Sequence, residues 1–227
     1  MDSLCGLENL LQTIERKLKS PSLDALVFQT DDQPAAFIID WFCGWFENYI
    51  AAGAKISDGQ TLQIGYSLVR CNVESKTLRL ESPQFNSMPI RWDANMAPVF
   101  QILVWHKYIP ESFSFDPDIP MLGQTAIVGK NFDQFPMFGN RLDAANPNDS
   151  GWFFGSTLDN VDNNDPDQLS SVSLYESMLS IPHMVPYLSM PTGCQIMFNS
   201  QTPEILKAYE PLDIKPGSMV DMLHNAN

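Results

Sequence analysis

Phe37-Ile38-Ile39-Asp40-Trp41-Phe42-Cys43-Gly44-Trp45-Phe46-Glu47-Asn48-Tyr49-Ile50 is followed, after an Asp58-Gly59 turn signal, by Thr61-Leu62-Gln63-Ile64-Gly65-Tyr66-Ser67-Leu68-Val69. The first run carries apolar residues at helical spacing, with Asp31 or Asp32 as cap and Pro34 in the first turn. Its apolar surface is too wide for a solvent-exposed helix, which predicts the central core element of the first half. The second run alternates as a strand does. Thr77-Leu78-Arg79-Leu80 reads as its hairpin partner across polar Asn72–Lys76. A helix beside a hairpin, with no βαβ alternation, predicts an α+β fold.

Working outward, Ser3 caps an expected helix with Leu4, Leu7, Leu10, Leu11, Ile14 and Leu18 on one face, ended by Pro21. A third helix is expected from Asp93 to Tyr108, with Met96, Val99, Phe100, Leu103 and Val104 inward. The Pro- and Asp-rich stretch Pro110–Pro120 reads as a linker. Beyond it lie expected strands at Thr125–Val128, Gly151–Phe154 and Cys194–Phe198, a polar stretch at Leu158–Gln168, a helix around Val172–Ile181 and an irregular turn at Pro182–Leu188. The expected organisation is two small modules. Residues 1–115 form a helix-rich, aromatic-rich module with a β-hairpin, and residues 120–227 form a second α+β domain.

The chain has 227 residues and a formal net charge of −14, from 13 Lys and Arg against 27 Asp and Glu. Such a balance argues against direct nucleic-acid binding and against docking on an anionic membrane, both of which need a basic face. The charge is uneven. Residues 1–110 hold 9 basic and 12 acidic side chains, whereas residues 111–227 hold 4 and 15. Between Arg141 and Lys207 there is no Lys or Arg, yet eight carboxylates fall there. A field of that sign speeds association with a cationic protein.

No run approaches the about 18 apolar residues of a membrane helix. Residues 1–6 lack the basic start and apolar stretch of a secretory signal. The four cysteines (Cys5, Cys43, Cys71, Cys194) form no CxxC pair, so neither zinc site nor redox dithiol is suggested. A reducing cytoplasm is the expected compartment.

Catalytic motifs are missing. GxxxxGK[ST], GxGxxG and GxSxG do not occur. His106, His183 and His224 stand in no motif that would set one beside a thiol. His106 falls near the end of the expected third helix, where a positive charge suits the helix dipole. Asp159-Asn160-Val161-Asp162-Asn163-Asn164-Asp165-Pro166-Asp167 resembles a calcium loop in composition only: an EF-hand starting at Asp159 would need oxygen ligands where Val161 stands, Gly at Asn164 and Glu at Ser170. No enzyme, cofactor or metal site is expected.

Asn146-Pro147-Asn148-Asp149-Ser150-Gly151-Trp152-Phe153-Phe154-Gly155 resembles the P-x-D-S-G-W-x-F-x-x-G signature of a bacterial immunity-protein family. The likeness continues through the Asp-rich stretch, Leu174-Tyr175 and Val185-Pro186-Tyr187-Leu188, and covers roughly residues 124–200. The family is the thirty-third-numbered immunity proteins of polymorphic-toxin systems. The segments Asp58–Gly65 and Ser87–Ile90 resemble, more weakly, a module that accompanies it in longer members. This chain departs from the family pattern at Ser156-Thr157-Leu158-Asp159 and at Phe198-Asn199, where members often carry a charged residue.

The resemblance implies an antitoxin, associated with type VI secretion and interbacterial competition, that occludes the active site of a cognate effector. Acidity suits a basic effector such as a nuclease. The expected contact surface is the acidic stretch Asp159, Asp162, Asp165 and Asp167, flanked by Trp152. The signature residues also have a structural reading that comes first: Asp149 and Ser150 closing a turn, Gly151 taking an unusual backbone angle and Trp152 filling the core. The alternative function is an adaptor or chaperone that loads an effector onto a secretion apparatus.

Overall fold

The computed structural model describes residues 11–20, 22–31, 36–199 and 203–225. The chain divides into two compact units: residues 1–64, 68–84 and 89–101 in the first, and residues 65–67, 85–88 and 102–227 in the second.

The first unit is built on a mixed sheet. Its elements are β1 (Gln12–Lys17), β2 (Ala25–Thr30), α1 (Ala36–Ala51), β3 (Gln60–Ile64), β4 (Ser67–Glu74), β5 (Thr77–Pro83), β6 (Trp92–Asp93) and the start of α2 (Ala97–Glu111). The strand order is β1-β2-β5-β4-β3, with β6 on β5; β2 and β5 run parallel, while β1 lies antiparallel to β2. The expected helix-rich module is therefore corrected to a sheet-based one. Of the expected first helix, residues 1–10 lie outside the described residues, and Gln12–Lys17 is a strand. The physical reason is the neighbour: β2 is almost wholly buried and must be hydrogen-bonded on both sides. A polar, charged strand such as Gln-Thr-Ile-Glu-Arg-Lys suits that edge.

A hairpin does form at Thr77–Leu80, but β5 pairs with β4 from Arg70 opposite Glu81 to Glu74 opposite Thr77, so Asn72–Glu74, expected in the connecting loop, are strand and Thr61–Ile64 is not the partner. Ser75 and Lys76 both take positive φ, 47° and 66°, which matches the twist of a two-residue hairpin turn. The expected strand Thr61–Val69 breaks in two at Gly65 (φ 56°). The expected second helix is α1, and it supplies core from one face only. Ile38, Phe42, Cys43 and Phe46 are buried, while Phe37 and Trp41 stay half exposed. Phe42 meets Phe28, Phe46 and Phe100 with ring centroids 5.7, 5.2 and 5.0 Å apart.

The second unit takes the rest of α2 and then β7 (Thr125–Gly129), β8 (Met137–Arg141), β9 (Asp149–Ser156), β10 (Leu169–Ser173), α3 (Leu174–Ser180), β11 (Cys194–Phe198), β12 (Glu204–Lys207), β13 (Glu210–Pro211) and α4 (Met219–Asn225). One seven-stranded sheet runs β10-β7-β9-β8-β11-β12-β13. Only β7 and β9 pair in parallel.

Registers place Val128, Phe154, Gly139, Ile196 and Ile205 in one row across that sheet. Apart from Gly139, each is a buried apolar side chain. Pro182–Tyr187, the expected irregular turn, winds as a 3-10 helix against this row. A Cβ on Gly139 would come within 2.4 Å of Met184 Cε and 3.1 Å of the Phe154 ring, so a larger residue there would make Met184 shift. The expected helix Val172–Ile181 begins as strand β10 and becomes helix at Leu174, because Ser173 and Glu176 form a reciprocal capping box there.

Candidate functional site

Strand β9 carries the Asp-Ser-Gly-Trp motif, and each residue has a structural task. Asp149 accepts hydrogen bonds from the Gly151 and Ala145 N–H groups, both at 2.8 Å. Gly151 has φ +72°, and a Cβ there would lie 2.3 Å from the Leu142 carbonyl oxygen; glycine alone fits. Trp152 is 1% exposed. Its indole Nε1–H donates to the Leu188 carbonyl at 3.0 Å, and its ring stacks on Phe154 at 5.5 Å. The Arg141 guanidinium lies 5.6 Å from the Trp152 ring centre, donates to the Ser150 carbonyl and pairs with Asp118 at 3.2 Å. Trp152 thus holds the domain together from within and offers a partner no surface.

The acidic stretch leaves β9 and stands beside it. Asp159, Asp162 and Asp167 are exposed, and Asp165 is half-buried. Asp162 accepts from the Asn164 N–H at 2.9 Å. Asp165 caps the short 3-10 helix Pro166–Gln168, accepting from the Gln168 side-chain amide and the Asp167 N–H, each at 3.0 Å. Those two donors, Gln168 first, hold the Asp165 carboxyl below its ordinary value. The loop is therefore shaped by its own aspartates. Among the described residues no group of three or more His, Cys, Asp or Glu is arranged to hold a metal ion.

Sequence reasoning missed what fastens this loop. Asn163 donates from Nδ2 to the Ser156 carbonyl at 2.8 Å. Its Oδ1 would sit 3.0 Å from a Cβ on Gly129 and 2.5 Å from one on Gly155, and Phe138 would be 2.6 Å from the latter. The two glycines clear a bed on the sheet into which the amide lies. The signal available in the sequence was the Gly155 of the motif, whose partner Asn163 comes eight positions later.

His106 was expected as a charged helix-end residue, and this is corrected. It is 1% exposed, bonds the Val185 carbonyl through Nε2 at 2.7 Å, and its Nδ1 has no partner. Burial pushes its pKa down to about 4, so the ring is neutral at pH 7 and lends the helix dipole no charge. His183 is half-buried between Phe135 and Phe198, and burial lowers its pKa as well.

Residues 106–208 match the family model of the Imm33-like domain. No curated protein and no solved structure matches the chain. The match contains the whole of the Asp-Ser-Gly-Trp strand and the acidic loop, and it lies within the second unit. Among the described residues no helix is long and apolar enough to cross a membrane.

Proposed function

We propose that this chain, whose second unit carries an Imm33-like domain, is an immunity protein that binds a cognate effector toxin and neutralises it by occluding its active site. The observation that carries the reading is the family match at residues 106–208, which coincides with the most acidic part of the chain. The protein acts by binding rather than by turnover, needs no cofactor, and meets its toxin in the cytoplasm. Its partner is a basic effector, with a nuclease as the leading class, because grips on phosphate require Lys and Arg. A long-range negative field raises the association rate, and buried apolar anchors set the dissociation rate. In this reading the second unit, which holds the whole match at residues 106–208, carries the immunity function.

Asp159, Asp162, Asp165 and Asp167 are the charges that steer the toxin, and Trp152 supports them from beneath by fixing β9. The test is co-expression with the effector encoded beside the chain. Survival of cells making both proteins supports neutralisation. Unrelieved toxicity ends the reading, and binding without protection selects the effector-loading adaptor instead.

A further inference from the structure

The seven-stranded sheet of the second unit has two faces, and only one is spent on the core. Side chains alternate along a strand. The residues between those of the buried row therefore point the opposite way, and registers align them too: Ser171, Ile127, Phe153, Asn140, Gln195, Leu206 and Pro211 form one row from edge to edge. All of them are exposed or half-buried. From Ile127 to Gln195 the row crosses three strand spacings, about 14 Å at roughly 4.8 Å each.

This open face has a structure of its own. On β7 Ile127 is 37% exposed, and on the neighbouring β9 Phe153 lies beside Phe138 with ring centroids 5.7 Å apart. Towards β12 there is a recess of about 220 Å³ lined by Asn140, Leu142, Gln195, Ala208 and Tyr209 among others. Leu142 is 55% exposed and Tyr209 87%, with Tyr209 held at φ 66° in the turn between β12 and β13. At the other end the acidic loop is fastened to the same face, because Gly129 and Gly155, over which Asn163 lies, belong to the outward-pointing set.

We infer that this outer face is the toxin-docking surface: an apolar patch at Ile127 and Phe153, a recess at Leu142 and Tyr209 that takes an apolar or aromatic anchor side chain, and an acidic margin at Asp159–Asp167. The inference rests on the immunity reading and deepens it. The occupant is a basic protein, since the margin carries four aspartates and the one arginine lining the recess, Arg141, is buried and paired with Asp118. An apolar patch with a charged margin is the usual anatomy of a specific interface, and exposed Tyr and Leu beside a recess are where dissociation is controlled.

The test uses the full chain and the neighbouring effector carrying an inactivating active-site substitution, with binding followed by surface plasmon resonance. Folding of each variant is checked by thermal melting. Tyr209→Ser combined with Leu142→Ser should weaken binding about tenfold or more, chiefly through faster dissociation. Ile127→Lys should do the same, while Asp159→Asn with Asp162→Asn should slow association and flatten its salt dependence. Met222→Ser on α4, equally exposed, should leave both rates unchanged. Normal binding and protection by the folded Tyr209/Leu142 and Ile127 variants would overturn the inference and leave the immunity reading standing. No binding of the effector by the unaltered chain would overturn both.

Discussion

Acidification probes how the second unit is held together, through His106. The ring is 1% exposed, its Nε2–H donates to the Val185 carbonyl and it meets the Tyr66 ring edge-on at 5.6 Å. Burial disfavours the charged ring, whose Nδ1 would carry a proton with no acceptor, and lowers its pKa from 6.5 to about 4 although the Val185 carbonyl favours the charged form. The unfolded chain takes up a proton below pH 6.5, whereas the folded chain resists until about pH 4. Stability is therefore unaffected by this group above pH 6.5, falls as pH drops through the window, and reaches its full loss below pH 4. That full loss is roughly 3 kcal/mol, of which about 2 kcal/mol has gone by pH 5. Urea unfolding at pH 7, 6 and 5, on the unaltered chain and on His106→Gln, isolates the contribution, because the carboxylates and His183 act in both. The unaltered chain should be the more stable at pH 7, and its advantage should shrink by about 2 kcal/mol at pH 5. An advantage that stays constant across this range would refute the burial of a neutral His106.

Other changes test the motif and the loop. Gly151→Ala should cost more than about 2 kcal/mol in chemical denaturation, since the methyl meets the Leu142 carbonyl at 2.3 Å and φ is +72°. Trp152→Phe keeps an aromatic ring but strands the Leu188 carbonyl, and a loss on the order of 1–3 kcal/mol is expected in the same assay. Ser173→Ala removes the capping box at the start of α3 and should cost about 1 kcal/mol. Asp162→Lys with Asp165→Lys should slow toxin association most strongly at low salt, seen as a lowered on-rate in stopped-flow mixing; an unchanged on-rate would take this loop out of the encounter.

Features that depend on local chemistry were legible in the sequence. The strand β5, the helix α1 and the strand at Gly151–Phe154 follow from periodicity and turn residues within a few positions. The Ser173–Glu176 spacing even contains the signal that ends β10 and starts α3, although the apolar run around it reads as one helix. Failures came where a neighbour distant in the chain decides. Leu10, Leu11, Ile14 and Leu18 have helical spacing, yet Gln12–Lys17 pairs with β2 because that buried strand needs a partner on its free edge. His106 looks like a charged cap until Val185, 79 positions away, is seen to hold it in the interior.

The candidate site divides in the same way. Its sign of charge, its Asp-rich loop and its Asp-Ser-Gly-Trp motif are properties of composition and spacing, and folding does not alter them. Which of these residues can meet a partner was a tertiary decision. Trp152 went inside because its indole found both a ring to stack on and a carbonyl to bond, while the acidic loop came to lie on one particular sheet face because Gly129 and Gly155 leave room there for Asn163. Alternation along β7, β8, β9, β11 and β12 guarantees two faces. Only the packing of Met184 and its neighbours decides that one of them is buried, leaving Ile127, Phe153, Leu142 and Tyr209 on the other.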